Sequence, residues 1–150
     1  MTRRCLGFVL ALAGLSGCIT GNEDFNRVAL DKALAKWSET GPASYSFVFL
    51  QQCVCPGPKT PVRVVVRNLV VESRTVVDTG EPLDPSYNDR FPPIPGVFGI
   101  IEDAMAGQSY SLVAEYDATY GYPVRIELDF TPATVSDNAQ YFVSEFTPLD

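Results

Sequence analysis

A chain of 150 residues, 46% of them hydrophobic, is long enough to bury one core and corresponds to a single domain. Its 11 basic and 18 acidic residues give a net charge of −7, which argues against a nucleic-acid partner, because phosphate neutralisation needs clustered Lys and Arg. It has no histidine, which removes the usual general base and every Ser-His or Cys-His nucleophile system.

The first segment reads as a leader rather than as fold. Arg3 and Arg4 precede the apolar run Leu6 to Leu15, and small residues follow at Ser16 and Gly17 before Cys18. This is the layout of a secretory signal over residues 1–17, too short to span a bilayer, which takes ~20 apolar residues. Loss of Arg3 and Arg4 with the leader leaves nine basic against 18 acidic residues, a net charge of −9. Leu15-Ser16-Gly17-Cys18 resembles the lipobox of bacterial lipoproteins, whose cysteine is acylated and becomes the mature N-terminus. The resemblance implies a membrane partner through a lipid anchor on Cys18, with residues 18–150 forming one anchored domain. Ile19 after the cysteine implies the outer membrane where the cell has two. The other reading of Cys18 is an ordinary secreted cysteine that pairs later.

From Asn22 the spacing predicts a helix. Ala29, Leu30, Ala33, Leu34 and Trp37 share one face, and Gly41-Pro42 ends it. Trp37 is read as a core anchor rather than a ligand platform. Tyr45 to Cys55 alternates as a strand, with Tyr45, Phe47, Phe49, Gln51, Cys53 and Cys55 on one face and Val48 and Leu50 on the other. Pro56-Gly57-Pro58 breaks it, and Val62 to Arg67 resumes with Val62, Val64 and Val66 toward the core. Asn68 supplies a turn into a third strand, Leu69 to Val77, with Arg63 and Arg67 outward near Glu72 and Arg74. Asp78 to Pro95, rich in Pro and turn formers, reads as a crossing loop, functional or merely mobile.

A short helix follows, with Val97, Phe98, Ile101, Ala104 and Met105 on one face and its end near Gly107. Tyr110 to Tyr116 and Val124 to Phe130 then alternate as two strands, and Tyr141 to Thr147 makes a last one. Ser44-Tyr45-Ser46-Phe47 with Pro61-Val62-Arg63-Val64 echoes Ser109-Tyr110-Ser111-Leu112 with Pro123-Val124-Arg125-Ile126. The expected fold is α+β: two helix-plus-three-strand units forming one antiparallel sheet, with the helices on one face.

The Trp-bearing helix, Cys53-Val54-Cys55-Pro56 and Tyr116-Asp117-Ala118-Thr119-Tyr120-Gly121-Tyr122-Pro123 resemble an uncharacterised family of secreted or lipid-anchored bacterial domains. The likeness runs from about residue 25 to residue 149, with Asn68-Leu69 where such proteins carry Gly in the hairpin turn. It implies a small envelope domain and no reaction. A looser similarity is to periplasmic inhibitor and chaperone modules, which bind proteins without catalysis.

Cys53 and Cys55 are the thiols left once Cys5 departs and Cys18 is acylated. Outside the cytoplasm they form a structural disulfide, a redox-active pair or a soft-metal site. A flat strand does not aim sulfurs at i and i+2 toward each other, so a bridge needs a bend and is then more oxidising than a relaxed one. No metal or other cofactor is assigned, since the pair lacks His and has only Met1 and Met105 as thioethers. A carboxylate pair of Asp117 with Asp129 or Glu127 falls on an exposed face and reads as solvated. Tyr116, Asp117, Tyr120, Gly121 and Tyr122 form a candidate binding edge, with local packing as the alternative. The repeat alignment puts this loop and the Cys53-Cys55 loop in equivalent hairpin positions, expected at one end of the sheet. The function expected is a non-enzymatic envelope module that binds an envelope protein or component; the rival is a thiol redox or soft-metal-handling lipoprotein.

Overall fold

The computed structural model describes residues 21–131 and 137–150. The leader, Cys18 and most of the turn before the last strand lie outside the described residues. Helix α1 spans Gly21–Thr40 and α2 spans Ile94–Asp103, and the strands are β1 Tyr45–Gln52, β2 Val62–Arg67, β3 Val70–Val76, β4 Ser111–Tyr116, β5 Pro123–Asp129 and β6 Ala139–Pro148. The fold is mixed α+β, with one antiparallel sheet in the order β3-β2-β1-β6-β5-β4. No helix among the described residues is long and apolar enough to cross a membrane.

The helices follow from their apolar stripes. On α1, Leu30 and Ala33 are buried and Leu34 and Trp37 pack beside them, a set at i, i+3, i+4 and i+7. Ala29, expected on that stripe, is exposed. Trp37 meets Tyr45, Tyr122 and Phe146 edge-on, at centroid distances of 5.4, 6.4 and 5.9 Å. On α2, Val97, Phe98 and Ile101 are buried and Phe98 stacks on Tyr116. The Ile94 N–H donates to the Tyr45 hydroxyl, so α1 and α2 both pack on the sheet face that carries Tyr45. Tyr45, Phe47, Phe49, Val62, Val64 and Val66 supply much of the floor, as their alternation requires.

The opposite sheet face carries exposed ion pairs: Arg63 with Glu145, Arg67 with Glu72, and Arg125 with Glu115 and Glu127. Such pairs contribute at most about 1 kcal/mol each. Arg74 departs from expectation. It lies opposite Val64 in the register, hence on the helix face, and its Nε donates to the Phe91 carbonyl at 2.7 Å. Burial pulls its pKa down, and Asp89 opposes that.

Turns account for the remaining departures. The β2–β3 hairpin closes through Asn68 and Leu69, with φ of 48° and 68°, the left-handed pair of a type I′ turn. Leu69 occupies a conformation costing about 1–2 kcal/mol for an L-residue, held by its N–H to the Ala43 carbonyl at 2.8 Å. The stretch from Asp78 to Pro95 is more ordered than a crossing loop. Leu83 N–H bonds Arg74 O and Val76 N–H bonds Glu81 O, so residues 81–83 cover the outer edge of β3. A 3₁₀ turn over Pro85–Arg90 follows, capped by Asp84, whose carboxylate accepts from Ser86 N and Oγ and is held below its usual pKa by those bonds. Pro95 stands inside the first turn of α2, where a missing N–H costs nothing, so α2 starts before Val97. At the other sheet edge, Asn26 of α1 donates to Leu112 O of β4 at 3.3 Å.

Candidate functional site

The tyrosine loop between β4 and β5 is built by Asp117. Its carboxylate accepts from the N–H groups of Thr119 at 2.9 Å and Tyr120 at 2.6 Å, and its backbone exchanges bonds with Gly121 and Tyr122. Gly121, at φ +83°, lies so close to α1 that a Cβ there would stand 2.7 Å from the Ala33 carbonyl. Lys36 of α1 donates to Ala118 O. Tyr122 is buried and stacks on Phe146 at 4.4 Å, Tyr120 leans on Phe146, and Tyr116 is half-buried against Phe98. Burial pushes the Tyr116 hydroxyl up to about 12. Of the five residues expected to form a binding edge, Gly121 and Tyr122 pack against α1, Asp117 shapes the turn, Tyr120 leans on Phe146 and Tyr116 packs on α2.

Cys53 and Cys55 lie just beyond β1, which ends at Gln52 because the chain bends there. They are at disulfide distance, with Cα atoms 5.2 Å apart, inside the span that a bridge requires. Val54 between them is 87% exposed. Lys59 Nζ stands 3.2 Å from Cys55 Sγ and 3.9 Å from Cys53 Sγ, and also donates to Cys55 O.

The two loops are not neighbours. β1 pairs antiparallel with β6, β6 with β5 and β5 with β4, so β4 runs opposite to β1. The loop after β4 is therefore at the end of the sheet away from the loop after β1. The same geometry separates Asp117, before β5, from Asp129 at its far end. Glu127 is engaged by Arg125 and by Gln140 Nε2 at 2.8 Å, and Asp129 Oδ1 is buried without a hydrogen-bond partner, so these carboxylates form no pair and are not the freely solvated groups expected.

A different arrangement stands beside the cysteine loop. A cleft of about 380 Å³ opens between α2 and the β1–β6 pair, lined by Gln51 and Tyr141 on the sheet, by Gly96, Gly99, Ile100 and Asp103 on the helix, and by Asp89, Arg90 and Pro92. Gln51 and Tyr141 are cross-strand partners. The four α2 residues fall at i, i+3, i+4 and i+7, the face turned away from Val97, Phe98 and Ile101. Gly96 is required by Pro92, since a Cβ would stand 2.5 Å from the proline ring. Gly99 is not required by packing, because nothing lies within 4 Å of where its Cβ would be. A helix-interior glycine costs ~1 kcal/mol relative to alanine, and this one leaves the cleft open.

Gln51 is 2% exposed and its Nε2 is buried without a hydrogen-bond partner. A buried donor left unpaired costs about 1–3 kcal/mol. Tyr141 stacks on Phe49 at 6.0 Å, and burial raises its pKa while Arg90 pulls it down, so the guanidinium and the phenol share one electrostatic neighbourhood. Arg90 also reaches the cysteine loop, its Cδ lying 3.6 Å from the position of a Cβ on Gly57.

Of these residues the sequence placed Gln51 on the strand face shared with Tyr45, Phe47 and Phe49, and it marked none of the lining as a site. Arg90, Gly99, Asp103 and Tyr141 carry no local signal, because a helix, a 3₁₀ turn and a strand far apart in sequence bring them together. Among the described residues no group of three or more His, Cys, Asp or Glu converges to hold a metal ion.

No curated protein and no solved structure matches the chain. Residues 29–148, most of its length, match the model of a family of unknown function, DUF6174, and the chain belongs to that family.

Proposed function

We propose that the protein is a cell-envelope lipoprotein, held by lipid on Cys18, whose folded domain is a non-catalytic binding module. The observation that carries the binding reading is the buried Gln51 amide with no partner at the floor of a cleft open to the surface. A ligand that accepts from it recovers the cost of its burial. The tyrosine loop is occupied in packing α1, so the binding site is placed at the cleft instead.

Anchoring is supported by the leader pattern and by the position of Cys18 after it. Each buried methylene of an acyl chain contributes ~0.8 kcal/mol, and several chains make attachment stable. Ile19 favours the outer membrane where there are two. The two-unit architecture is part of the same reading: β1 to β3 and β4 to β6 each form a three-strand meander, and the echo of Ser44-Tyr45-Ser46 in Ser109-Tyr110-Ser111 supports an origin by duplication.

Native mass spectrometry of the exported domain, mixed with the low-mass fraction of its own cell envelope, tests the binding reading. An adduct is expected on the wild type and not on Gly99→Leu, whose side chain fills the cleft. A wild type that gains no adduct overturns the reading.

One observation favours a second function. Lys59 beside Cys55 would stabilise a thiolate in the reduced form, the setting of an exchanging cysteine. In such a step a substrate dithiol gives up two electrons and two protons and closes its own bridge, while Cys53-Cys55 opens to two thiols. Paired Cys53→Ser and Cys55→Ser substitutions that leave cellular function and metal tolerance intact eliminate this function and the soft-metal one together.

A further inference from the structure

The cleft is polarised along α2, and its chemistry narrows what it can hold. Beside Gln51 and Tyr141 stands Arg90, which forms no ion pair and no side-chain hydrogen bond with another described residue. A guanidinium, an amide N–H and a phenol O–H together make a donor set for a carboxylate. On the helix wall stands Asp103, also without an ion pair or side-chain hydrogen bond among the described residues. Asp89, the other carboxylate of the lining, stands next to Arg90 in the chain and partly offsets the burial that lowers the Arg74 pKa, so Asp103 is the carboxylate of the helix wall.

This pattern excludes the simpler occupants. A plain anion would meet Asp103 and Asp89 as well as Arg90. A metal cation would meet Arg90. A hydrocarbon would leave Gln51 Nε2 unpaired at full cost.

The length of the cleft sets the ligand's size. Gly96 sits against Pro92, close in sequence to Arg90, and Asp103 lies seven residues further along the helix, a rise of about 10 Å. A hydrogen bond of about 3 Å at each end leaves about 4 Å between the ligand's two charged groups, more than the ~2.5 Å from nitrogen to carboxylate carbon within one amino acid and within the reach of two linked residues. An amino acid, with its ammonium and carboxylate on one carbon, is too short to meet both charges. The flat surface left by Gly96 and Gly99 lets a peptide backbone approach the helix, as side chains there would not.

We infer that the cleft binds a dipeptide-length zwitterion, its carboxylate taken by Arg90 and Gln51 with the Tyr141 hydroxyl, and its ammonium by Asp103. The inference rests on the binding reading above and specifies its ligand. It also accounts for an open helical glycine and an orphaned amide with one occupant.

The test is titration calorimetry of the intact mature protein with four dipeptides: Ala-Ala, Ala-Phe, Ala-Glu and Ala-Lys, each also N-acetylated or C-amidated. At least one free dipeptide is expected to bind by about 1 mM, and either blocking group is expected to weaken it about tenfold or more. Arg90→Ala should abolish the discrimination between acid and amide, and Asp103→Asn that between amine and acetyl. Each substitution should leave the other discrimination in place. Gly99→Leu should abolish binding while melting no lower than the wild type, which separates an occupied cleft from an unfolded one. No heat from any free dipeptide at about 10 mM, or binding indifferent to both blocking groups, overturns the inference. An adduct from the envelope fraction without dipeptide binding overturns the zwitterion alone and leaves the binding module standing; failure of both removes the binding module too.

Discussion

Gly121 shows how much one position can carry. Its φ of +83° suits glycine, and its Cα rests on the α1 backbone with no room for a methyl group. Gly121→Ala combines a left-handed penalty of about 1–2 kcal/mol with a contact that neither backbone can yield, so a loss of about 2–4 kcal/mol is expected. Urea unfolding monitored by Trp37 fluorescence checks it, since Trp37 packs on the adjoining Tyr122. A variant within about 0.5 kcal/mol of the wild type would show that α1 does not dock through this loop. The turn itself was legible, because Asp117 and Gly121 have local jobs. The destination of its tyrosines was not, because their partners, Trp37, Phe98 and Phe146, come from three other elements. Gln51 has the opposite history: strand alternation placed it on the buried face, and only the fold reveals that its amide is left unpaired.

Among the elements, β6 is the one whose pattern changes partway. Tyr141 and Val143 face the core, and simple alternation would send Glu145 after them. Instead the register with β1 slips between Ser46 and Val48, and Glu145 takes φ of 50° as the extra residue of a bulge. The slip turns Glu145 outward to Arg63 and turns Phe146 inward, to stack on Tyr45 and Tyr122. Deleting Glu145 restores plain alternation from Tyr141 and leaves Phe146 on the core face, the next inward position after Val143. The deletion is expected to cost less than about 1 kcal/mol, since it gives up only the exposed pair with Arg63, whereas Phe146→Ala should cost about 3–5 kcal/mol, as truncation of a core phenylalanine does. Equilibrium unfolding of the two variants decides it, and a deletion as costly as Phe146→Ala would mean that Phe146 depends on the bulge for its place. Helices, hairpins and core faces were readable here because apolar spacing and turn residues are local. The bulge was not, since one inserted residue leaves no mark of its own.

At the scale of the molecule, burial of phenols sets an alkaline limit. The Tyr45 hydroxyl is pushed up to about 12 by burial, although the Ile94 N–H it accepts pulls the other way, and Tyr116 also rises to about 12 by burial. In the unfolded chain both titrate near 10. Between these values the folded state keeps protons that the unfolded state has lost, so this contribution is complete below about pH 10 and fades as pH climbs toward about 12. Urea midpoints should fall across that window, and fall less steeply in a Tyr45→Phe, Tyr116→Phe double variant; identical slopes would remove the two phenols as the cause. The α+β class could be read from hairpins and helices, while the strand order could not, because it turns on which edges of two meanders meet. Those edges are β1 and β6, where Tyr45 pairs with Pro148 at the centre of the sheet. A ribosome making this chain completes the middle of the sheet last. Until β6 emerges, the β1–β3 meander has no neighbour beyond β1 and the aromatic floor under Trp37 lacks Phe146. Native assembly must await nearly the whole polypeptide, and the long loop closure it requires places folding among the slow, nonlocal class of milliseconds to seconds.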